Sequence, residues 1–160
     1  TQIILGYMIG AGKLKEVCPR VWSTIRIALA ASELLTLVIL IFCDPIYSIF
    51  TADPVIHQLG RQILYVEFAL EIGRSINIVM VRGLTTADDV WYPVTVGIFS
   101  MWLVSVGGSW LLGDVLGWGL AGIWIAMACD ECLRGLLFTI RFQRGKWKEK
   151  RLASGLPKQD

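Results

Sequence analysis

The stretch Val94–Gly113, VTVGIFSMWLVSVGGSWLLG, is a long apolar run without a single charged side chain. A helix rises about 1.5 Å per residue, so about 20 apolar residues cross the roughly 30 Å hydrocarbon layer of a membrane. Three other blocks are similarly long and mostly apolar: Ile25–Cys43, Ile63–Val81 and Leu116–Ile140. One such block fits the core helix of a soluble domain, but four of them predict a polytopic membrane protein.

The overall composition indicates the same class of protein. The 160 residues are 55% hydrophobic and only 18% charged, whereas a soluble domain needs more polar side chains to cover its surface. We therefore predict an all-α fold, a polytopic transmembrane helical bundle of about four membrane-spanning helices. The opening TQIILGYMIGAG (residues 1–12) is typical of the end of a fifth helix. Small residues at Ser105–Ser109 and Gly117–Gly122 predict close packing between helices.

Prolines and capping residues mark where the helices begin and end. Asp44-Pro45 predicts the end of the first span, and Asp53-Pro54 predicts an N-cap with proline in the first turn of the second. Pro93 predicts the start of the third span. We expect spans at residues 24–43, 60–84, 93–113 and 117–141, within a membrane domain at 1–144 that a basic cytoplasmic tail follows at 145–160.

Basic residues concentrate at the two ends of the chain. Lys13, Lys15 and Arg20 precede the first span, and seven Lys and Arg residues follow the last one from Arg141 onward, whereas Asp44–Arg61 holds one. Such residues mark the cytoplasmic side, so we expect both ends there. The tail could instead contact nucleic acid, but its place directly after a span favours the lipid bilayer as its partner.

The second span carries a polar stripe. At about 100° per residue, Glu67, Glu71, Arg74 and Ser75 fall within about a third of the helix circumference. A carboxylate inside the membrane costs several kcal/mol unless it is paired or hydrated. The stripe is therefore either a proton or cation site at Glu71 or Glu67, or a Glu71–Arg74 pair that only orients the helix. Two carboxylates against one arginine favour the first interpretation, a proton or cation site at Glu71 or Glu67.

Other polar residues are expected to line the same cavity. We predict this for Arg74, Ser75, Asn77 and Glu33, the last lying near the middle of the first span. Two interpretations stay open for Glu33, because it could contribute to the cavity or stay protonated, since desolvation disfavours the charged form. The single histidine, His57, is expected on the surface.

The segment ACDECLR (residues 128–134) combines a C-x-x-C pair with charges inside the last span. A zinc site needs four ligands and a redox motif needs a helix start after a strand, and neither is present around Cys129 and Cys132. We predict no metal, no cofactor beyond a coupling proton or sodium ion, and no enzyme activity. Asp130 and Arg134, four residues apart, predict a structural ion pair. Glu131 could also reach Arg134, but it has no assigned role.

Four segments together resemble the MATE (multidrug and toxic compound extrusion) transporters, close to the NorM-type bacterial members. Gly6–Gly12, GYMIGAG, is similar to the end of that family's eighth helix, and Asp44–Pro54, DPIYSIFTADP, to the exit of its ninth. Glu71–Asn77, EIGRSIN, resembles an E-x-G-R-x-x-N variant of helix ten. Ile123–Trp147, with Asp130 and Arg134, resembles the last helix. The resemblance covers about residues 1 to 150.

The resemblance implies a C-terminal fragment from the second six-helix lobe of a MATE fold in the bacterial inner (plasma) membrane. It implies part of a proton- or sodium-coupled antiporter that exports organic cations or amphipathic drugs by alternating access. A coupling carboxylate on helix ten is implied in some members, and we assign that role to Glu71. The expected partners are a drug or organic cation, the bilayer and the missing N-terminal lobe of the same chain.

The chain departs from the family pattern in the loop after helix ten. The usual L-R-x-x-G-D-x-x-x-P reads LTTADDVWYP at Leu84–Pro93, with Thr85 for the arginine and Asp88 for the glycine. We expect Arg82, one turn earlier, to supply the missing charge.

Three other functions remain open at this level. A flippase for lipids or lipid-linked precursors, from the same broad superfamily, is the main alternative. A membrane-embedded scaffold without a substrate path is the next. A metal or thiol redox enzyme is the last, and it depends on Cys129 and Cys132 alone.

Overall fold

The computed structural model describes residues 2–145 and 147, and within them the regular structure is helical with no strand. The predicted all-α bundle is confirmed. In chain order the helices are α1 (Gln2–Gly10), α2 (Leu14–Ile41), α3 (Cys43–Phe50), α4 (Pro54–Thr86), α5 (Trp91–Val115) and α6 (Gly119–Gln143). Four long helices match the four predicted spans, and α1 is the predicted end of a further helix.

One predicted helix boundary agrees with the structure, and another does not. The Asp53 carboxylate accepts a hydrogen bond from the Val55 amide at 2.9 Å, and Pro54 is the first residue of α4. Asp44-Pro45 does not end α2 as predicted, because α2 stops at Ile41 and Pro45 lies in the first turn of α3. A first-turn amide has no intrahelical acceptor, so proline is tolerated there.

The helices extend beyond the predicted spans. α2 begins at Leu14 and α4 at Pro54, before the predicted positions 24 and 60. Polar turns can continue a helix past the apolar block, because backbone hydrogen bonding does not stop where hydropathy falls. The predicted basic tail at 145–160 lies outside the described residues except for Gly145 and Trp147. The Trp147 ring is buried and stacks on Phe142 with centroids 5.2 Å apart.

α4 is the central helix and packs between α2 and α6. A Cβ atom built on Gly73 would lie 2.7 Å from the backbone nitrogen of Cys132, and one on Gly135 would lie 3.1 Å from the Gly73 carbonyl oxygen. Only glycine allows the two backbones to approach this closely. The α4–α6 distance is therefore set by two glycines, which have no side chain, rather than by large side chains.

α5 and α6 meet through the small residues that the sequence predicted for packing. A Cβ on Gly122 would lie 2.7 Å from the Leu112 carbonyl carbon, and one on Gly108 would lie 3.1 Å from the Ala126 Cβ. α5 also contains two π-helical stretches, Met101–Val106 and Trp110–Val115. A π-helical turn is wider than an α-helical one and interrupts its regular register.

Apolar residues are divided between a small core and a large exposed surface. The core lies where α1, α2, α4 and α6 converge and contains Leu5, Ile9, Val17, Val21, Ile25, Val79, Met80, Leu84, Ala87, Phe138, Phe142 and Trp147. Elsewhere large side chains point outward, for example Phe99, Trp102 and Leu103 on α5. Exposed apolar surface of this extent indicates contact with lipid or another protein segment.

Among the described residues, two helices contain an apolar stretch long enough to cross a membrane, Leu14–Ile41 and Trp91–Val115. α4 and α6 are as long, but charged residues interrupt their apolar runs. Those interruptions are Glu67, Glu71 and Arg74 on α4 and Asp130, Glu131 and Arg134 on α6. The charged side chains that weaken the hydropathy signal of these two helices form the clusters described next.

Candidate functional site

A carboxylate–arginine–carboxylate cluster lies in the middle of α4. The Nη1 atom of Arg74 donates to Glu71 Oε1 at 2.5 Å and to Glu67 Oε1 at 3.0 Å. The three residues are spaced by four and three positions, so they stand on one face of the helix. The sequence predicted this common face, and the structure brings the three charged groups together.

Two neighbouring helices donate to this cluster. The Ser32 hydroxyl of α2 donates to Glu71 Oε2, and the indole nitrogen of Trp124 on α6 donates to Glu67 Oε2 at 2.8 Å. The cluster therefore joins α2, α4 and α6. Sequence reasoning missed both donors as site residues, although a serine directly before Glu33 in an apolar helix was a usable signal for Ser32.

The cluster is partly buried and has two acidic side chains for one basic side chain. The side chains of Glu71, Glu67 and Arg74 are 17%, 23% and 34% exposed. One guanidinium balances one of the two carboxylates, so a formal charge of −1 remains. In a membrane interior such a charge is costly unless a cation or water neutralises or hydrates it.

Glu33 adds a third carboxyl group, on α2 next to Ser32. Both of its carboxyl oxygens are buried without a hydrogen-bond partner among the described residues. A buried carboxyl group without a donor is costly in its charged form. Glu33 is therefore a further acidic side chain on the helix whose Ser32 donates to Glu71.

Two of the predicted cavity-lining residues lie away from these contacts. Ser75 is buried but takes no part in the hydrogen bonds of the Glu67–Arg74–Glu71 cluster. Asn77 donates instead to Glu131 Oε2 on α6 at 2.6 Å. Six residues along a helix turn the Asn77 side chain about 240° from that of Glu71, so its place in the cavity of Glu71 stays a prediction.

A second cluster of the same form lies on α6. Arg134 Nη2 donates to Asp130 Oδ2 at 2.5 Å and to Glu131 Oε1 at 2.8 Å. The Ser100 hydroxyl of α5 also donates to Asp130. The predicted Asp130–Arg134 pair is thus present, and Glu131, which had no assigned role, joins α6 to α4 through Asn77.

The α4–α5 loop closes with a third charged contact. Arg141 of α6 donates to both oxygens of Asp89, at 2.7 and 3.2 Å, and its guanidinium lies 4.7 Å from the centre of the Tyr92 ring. The expectation that Arg82 supplies this charge is wrong, because Arg82 is exposed and Arg141 occupies the place beside Asp89. Asp88 stands where the family has glycine and adopts φ 68°, the left-handed conformation that glycine favours.

The α2–α4 connection carries an exposed ion pair. Arg61 Nη2 donates to Asp44 Oδ2 at 2.5 Å, and this hydrogen bond holds the pKa of Asp44 below its ordinary value. His57, expected on the surface, is partly buried and bonded through Nε2 to the Thr51 carbonyl oxygen at 2.9 Å. These contacts fix the short α3 segment against the start of α4.

Cys129 and Cys132 are free thiols on α6, and both residues are exposed. Within residues 2–145 and 147, no three His, Cys, Asp or Glu side chains are arranged to hold a metal ion. Cys132 instead contacts Gly73 at the closest approach of α4 and α6. Its position gives it a packing contact.

Comparison with known proteins agrees with the motifs. The MatE family model matches residues 1–111. The chain is 32% identical over 153 residues to the uncharacterized transporter YisQ of Bacillus subtilis, covering 96% of this chain and 34% of that protein. It is 25% identical over 114 residues to the probable multidrug resistance protein NorM of Thermotoga maritima, covering 71% of this chain and 25% of NorM.

A NorM protein of Bacillus anthracis is 24% identical over 139 residues, which cover 87% of this chain and 31% of that protein. The chain thus spans about a third or less of these relatives' length. No solved structure matches it. Since the family model covers more than half of the chain, the chain belongs to the MatE family.

Proposed function

We propose that this chain forms part of a cation-coupled antiporter that exports organic cations or amphipathic drugs by alternating access. The names of the NorM relatives, which describe probable multidrug resistance proteins, support the drug substrate. The coupling ion is a proton or sodium, and the substrate crosses the membrane without covalent change, so we propose no catalytic residue. A second lobe of the same protein would complete the path, consistent with the greater length of the relatives.

The observation that carries the proposal is the unequal charge around Glu71. Glu71 and Glu67 share Arg74 at 2.5 and 3.0 Å, while Glu33 has two buried oxygens without a partner. Such a group attracts a cation and releases it when a positively charged drug replaces it. Glu71 is the proposed coupling residue because it lies closer to Arg74 than Glu67 does and its side chain is the less exposed of the two.

The hydrogen bonds of Glu71 offer a link between ion binding and helix movement. Hydrogen bonds to a charged group contribute about 1.5 to 3 kcal/mol each. A proton on Glu71 removes its charge and weakens its bonds to Ser32 and Arg74, so the α2–α4 contact is less stable in the protonated state. A free-energy difference of this size shifts a two-state equilibrium by about tenfold or more.

A shallow apolar groove between α4 and α6 has the size that a drug requires. Its volume is ≈ 460 Å³, within the range of about 300 to 1,000 Å³ typical of small-molecule sites. The groove is formed by α4 and α6 and lined by Tyr65, Val66, Ala69, Ile125, Ala128, Cys129 and Cys132. An amphipathic drug could place its apolar part in this groove.

The proposed location is the bacterial inner membrane, with both ends of the chain on the cytoplasmic side. Exposed Lys13 and Lys15 at the start of α2 support this orientation, as do the basic residues that follow α6 in the sequence. No nucleic-acid contact is proposed. The basic residues would instead interact with anionic lipid headgroups.

Drug efflux from vesicles tests the proposal. The intact protein and its Glu71→Gln variant are placed in vesicles, and proton and sodium gradients are imposed separately. We expect one gradient to drive drug transport in the wild type and neither to drive it in Glu71→Gln, with Glu16→Gln as the exposed control. Wild-type vesicles that flip a labelled lipid and move no drug would contradict the proposal in favour of a flippase.

A further inference from the structure

The α6 cluster has a charge imbalance that the proposed coupling site does not explain. Arg134 balances one of its two acidic neighbours, Asp130 or Glu131, and a formal charge of −1 remains. The cluster is enclosed by α5, which contributes Ser100, and by α4, which contributes Asn77. It is separate from the Glu67–Arg74–Glu71 cluster and shares none of that cluster's hydrogen bonds.

The two carboxyl groups of this cluster differ in their surroundings. Asp130 has a side chain only 3% exposed, and it accepts from both Ser100 and Arg134, the latter at 2.5 Å. The Glu131 side chain is 19% exposed and lies farther from Arg134, at 2.8 Å. Asp130 therefore has the stronger donors for a charged carboxylate, and Glu131 is the more exposed of the two carboxyl groups.

Asn77 supplies a second, independent observation. The residue is only 6% exposed, its Nδ2 donates to Glu131 Oε2 at 2.6 Å, and its Oδ1 is buried without a hydrogen-bond partner among the described residues. A buried amide with an unused acceptor costs about 1 to 3 kcal/mol. Nε of Arg134, in the same cluster, is likewise buried without a partner in the described part of the chain.

The unused acceptor has a direct consequence for protonation. An ionised Glu131 accepts from the Asn77 NH2 group, whereas a protonated Glu131 must donate its O–H to an acceptor. A half-turn of the Asn77 amide presents Oδ1 to Glu131. Because Oδ1 has no donor among the described residues, this turn breaks no other hydrogen bond. Asn77 can therefore join α4 to α6 whether Glu131 is ionised or protonated.

We propose that Glu131 is a second proton-binding site of this protein, in which Asp130 and Arg134 form the fixed ion pair and Asn77 exchanges its amide ends as Glu131 gains or loses the proton. The bound species is a proton taken reversibly from water. The facing groups are Asp130, Arg134 and the Cys132 thiol on α6, Ser100 on α5 and Asn77 on α4, with Arg74 the nearest charged residue to Asn77 along α4.

Infrared difference spectroscopy of the intact protein in nanodiscs tests this site, with a pH change as the trigger. We expect a C=O component of a protonated carboxyl that Glu131→Gln removes and that Glu71→Gln and Glu16→Gln retain. Glu33→Gln identifies any separate contribution from Glu33. Asn77→Leu is expected to shift the Glu131 component without removing it, because the acid keeps its proton and loses its hydrogen-bond acceptor.

Isotope labelling shows whether the protonated carboxyl belongs to glutamate or aspartate, without any substitution in the cluster. Glutamate labelled at its carboxyl carbon should shift this component in the wild-type protein, and labelled aspartate should not. A component that persists in Glu131→Gln, or that shifts with labelled aspartate, would overturn the assignment. The readout is independent of transport, so loss of drug efflux in Glu71→Gln with the Glu131 component intact separates the two proposals.

Discussion

The Ser32 hydroxyl on α2 donates a hydrogen bond to the Glu71 carboxylate on α4, so a charged group of the central helix is tied to its neighbour. Arg74 binds the other oxygen of the same carboxylate at 2.5 Å. A change in the charge of Glu71 therefore acts on an interhelical contact and on an intrahelical one together. Glu67 has a similar pair of contacts, with Arg74 at 3.0 Å and with Trp124 on α6. We propose ion coupling at Glu71 because its contact with Arg74 is shorter and its side chain is less exposed.

Substitution of Gly73 should disrupt the α4–α6 contact. A Cβ atom at position 73 would lie 2.7 Å from the Cys132 backbone, so the side chain of Gly73→Val would overlap that backbone. Overpacking of this kind costs about 1 to 3 kcal/mol or more. We expect a lower thermal unfolding temperature of the intact protein in detergent. Gly97→Ala is the control, because no atom lies within 4 Å of its Cβ position. Equal melting of the two variants would show that α4 and α6 do not pack as described.

Asp88 should tolerate replacement by glycine with a gain in stability. Its φ of 68° costs a residue with a side chain about 1 kcal/mol. We expect Asp88→Gly to raise the unfolding free energy by up to that amount. The reciprocal change, Gly117→Ala at φ 68° in open space, should lower it by a similar amount. A destabilised Asp88→Gly would indicate that the aspartate side chain has a role beyond its backbone conformation.

The buried Asp89–Arg141 contact should matter more than the exposed Asp44–Arg61 contact. Asp89 is 3% exposed in its side chain and receives two hydrogen bonds, so Asp89→Asn should cost about 1 to 3 kcal/mol. Asp44 is 54% exposed, and exposed pairs contribute less than about 1 kcal/mol. Denaturation of Asp89→Asn and Asp44→Asn in parallel measures both effects. A larger loss for Asp44→Asn would reverse the assigned importance of the two contacts.

Replacement of Glu33 by leucine should raise the stability of the protein and reduce drug efflux. Glu33→Leu removes two buried oxygens without partners, so we expect the unfolding free energy to rise by about 1 to 2 kcal/mol. The same change removes a carboxyl from the proposed ion site, and drug efflux should fall. Glu33→Gln keeps a polar group of similar shape and separates the two effects. A less stable Glu33→Leu protein with normal efflux would contradict both expectations.

The sequence predicts most of the fold because the signals are local. Apolar blocks define the four long helices, and Asp53-Pro54 marks the start of α4. Spacing on one helix also places Glu67, Glu71 and Arg74 on a common face, as the structure confirms. These inferences need only the geometry of a single helix.

Contacts between helices depend on how each helix is rotated and how closely it packs, which spacing does not give. The donors Ser32 and Trp124 and the Asn77–Glu131 bond all cross from one helix to another. Glycine at position 73 sets the α4–α6 distance, but its effect appears only when Cys132 is seen opposite it. The position of Arg141 beside Asp89, where the sequence predicted Arg82, likewise follows from tertiary packing.

Drug-induced ion release from the purified intact protein tests the central claim most directly. A weakly buffered, sodium-loaded sample receives an organic cation substrate, and released protons and sodium are measured with a pH indicator and a sodium-selective probe. We predict that substrate releases one of these ions from the wild type and from Glu16→Gln, and none from Glu71→Gln despite normal folding. Undiminished release from a folded Glu71→Gln protein would contradict the assignment of ion coupling to Glu71.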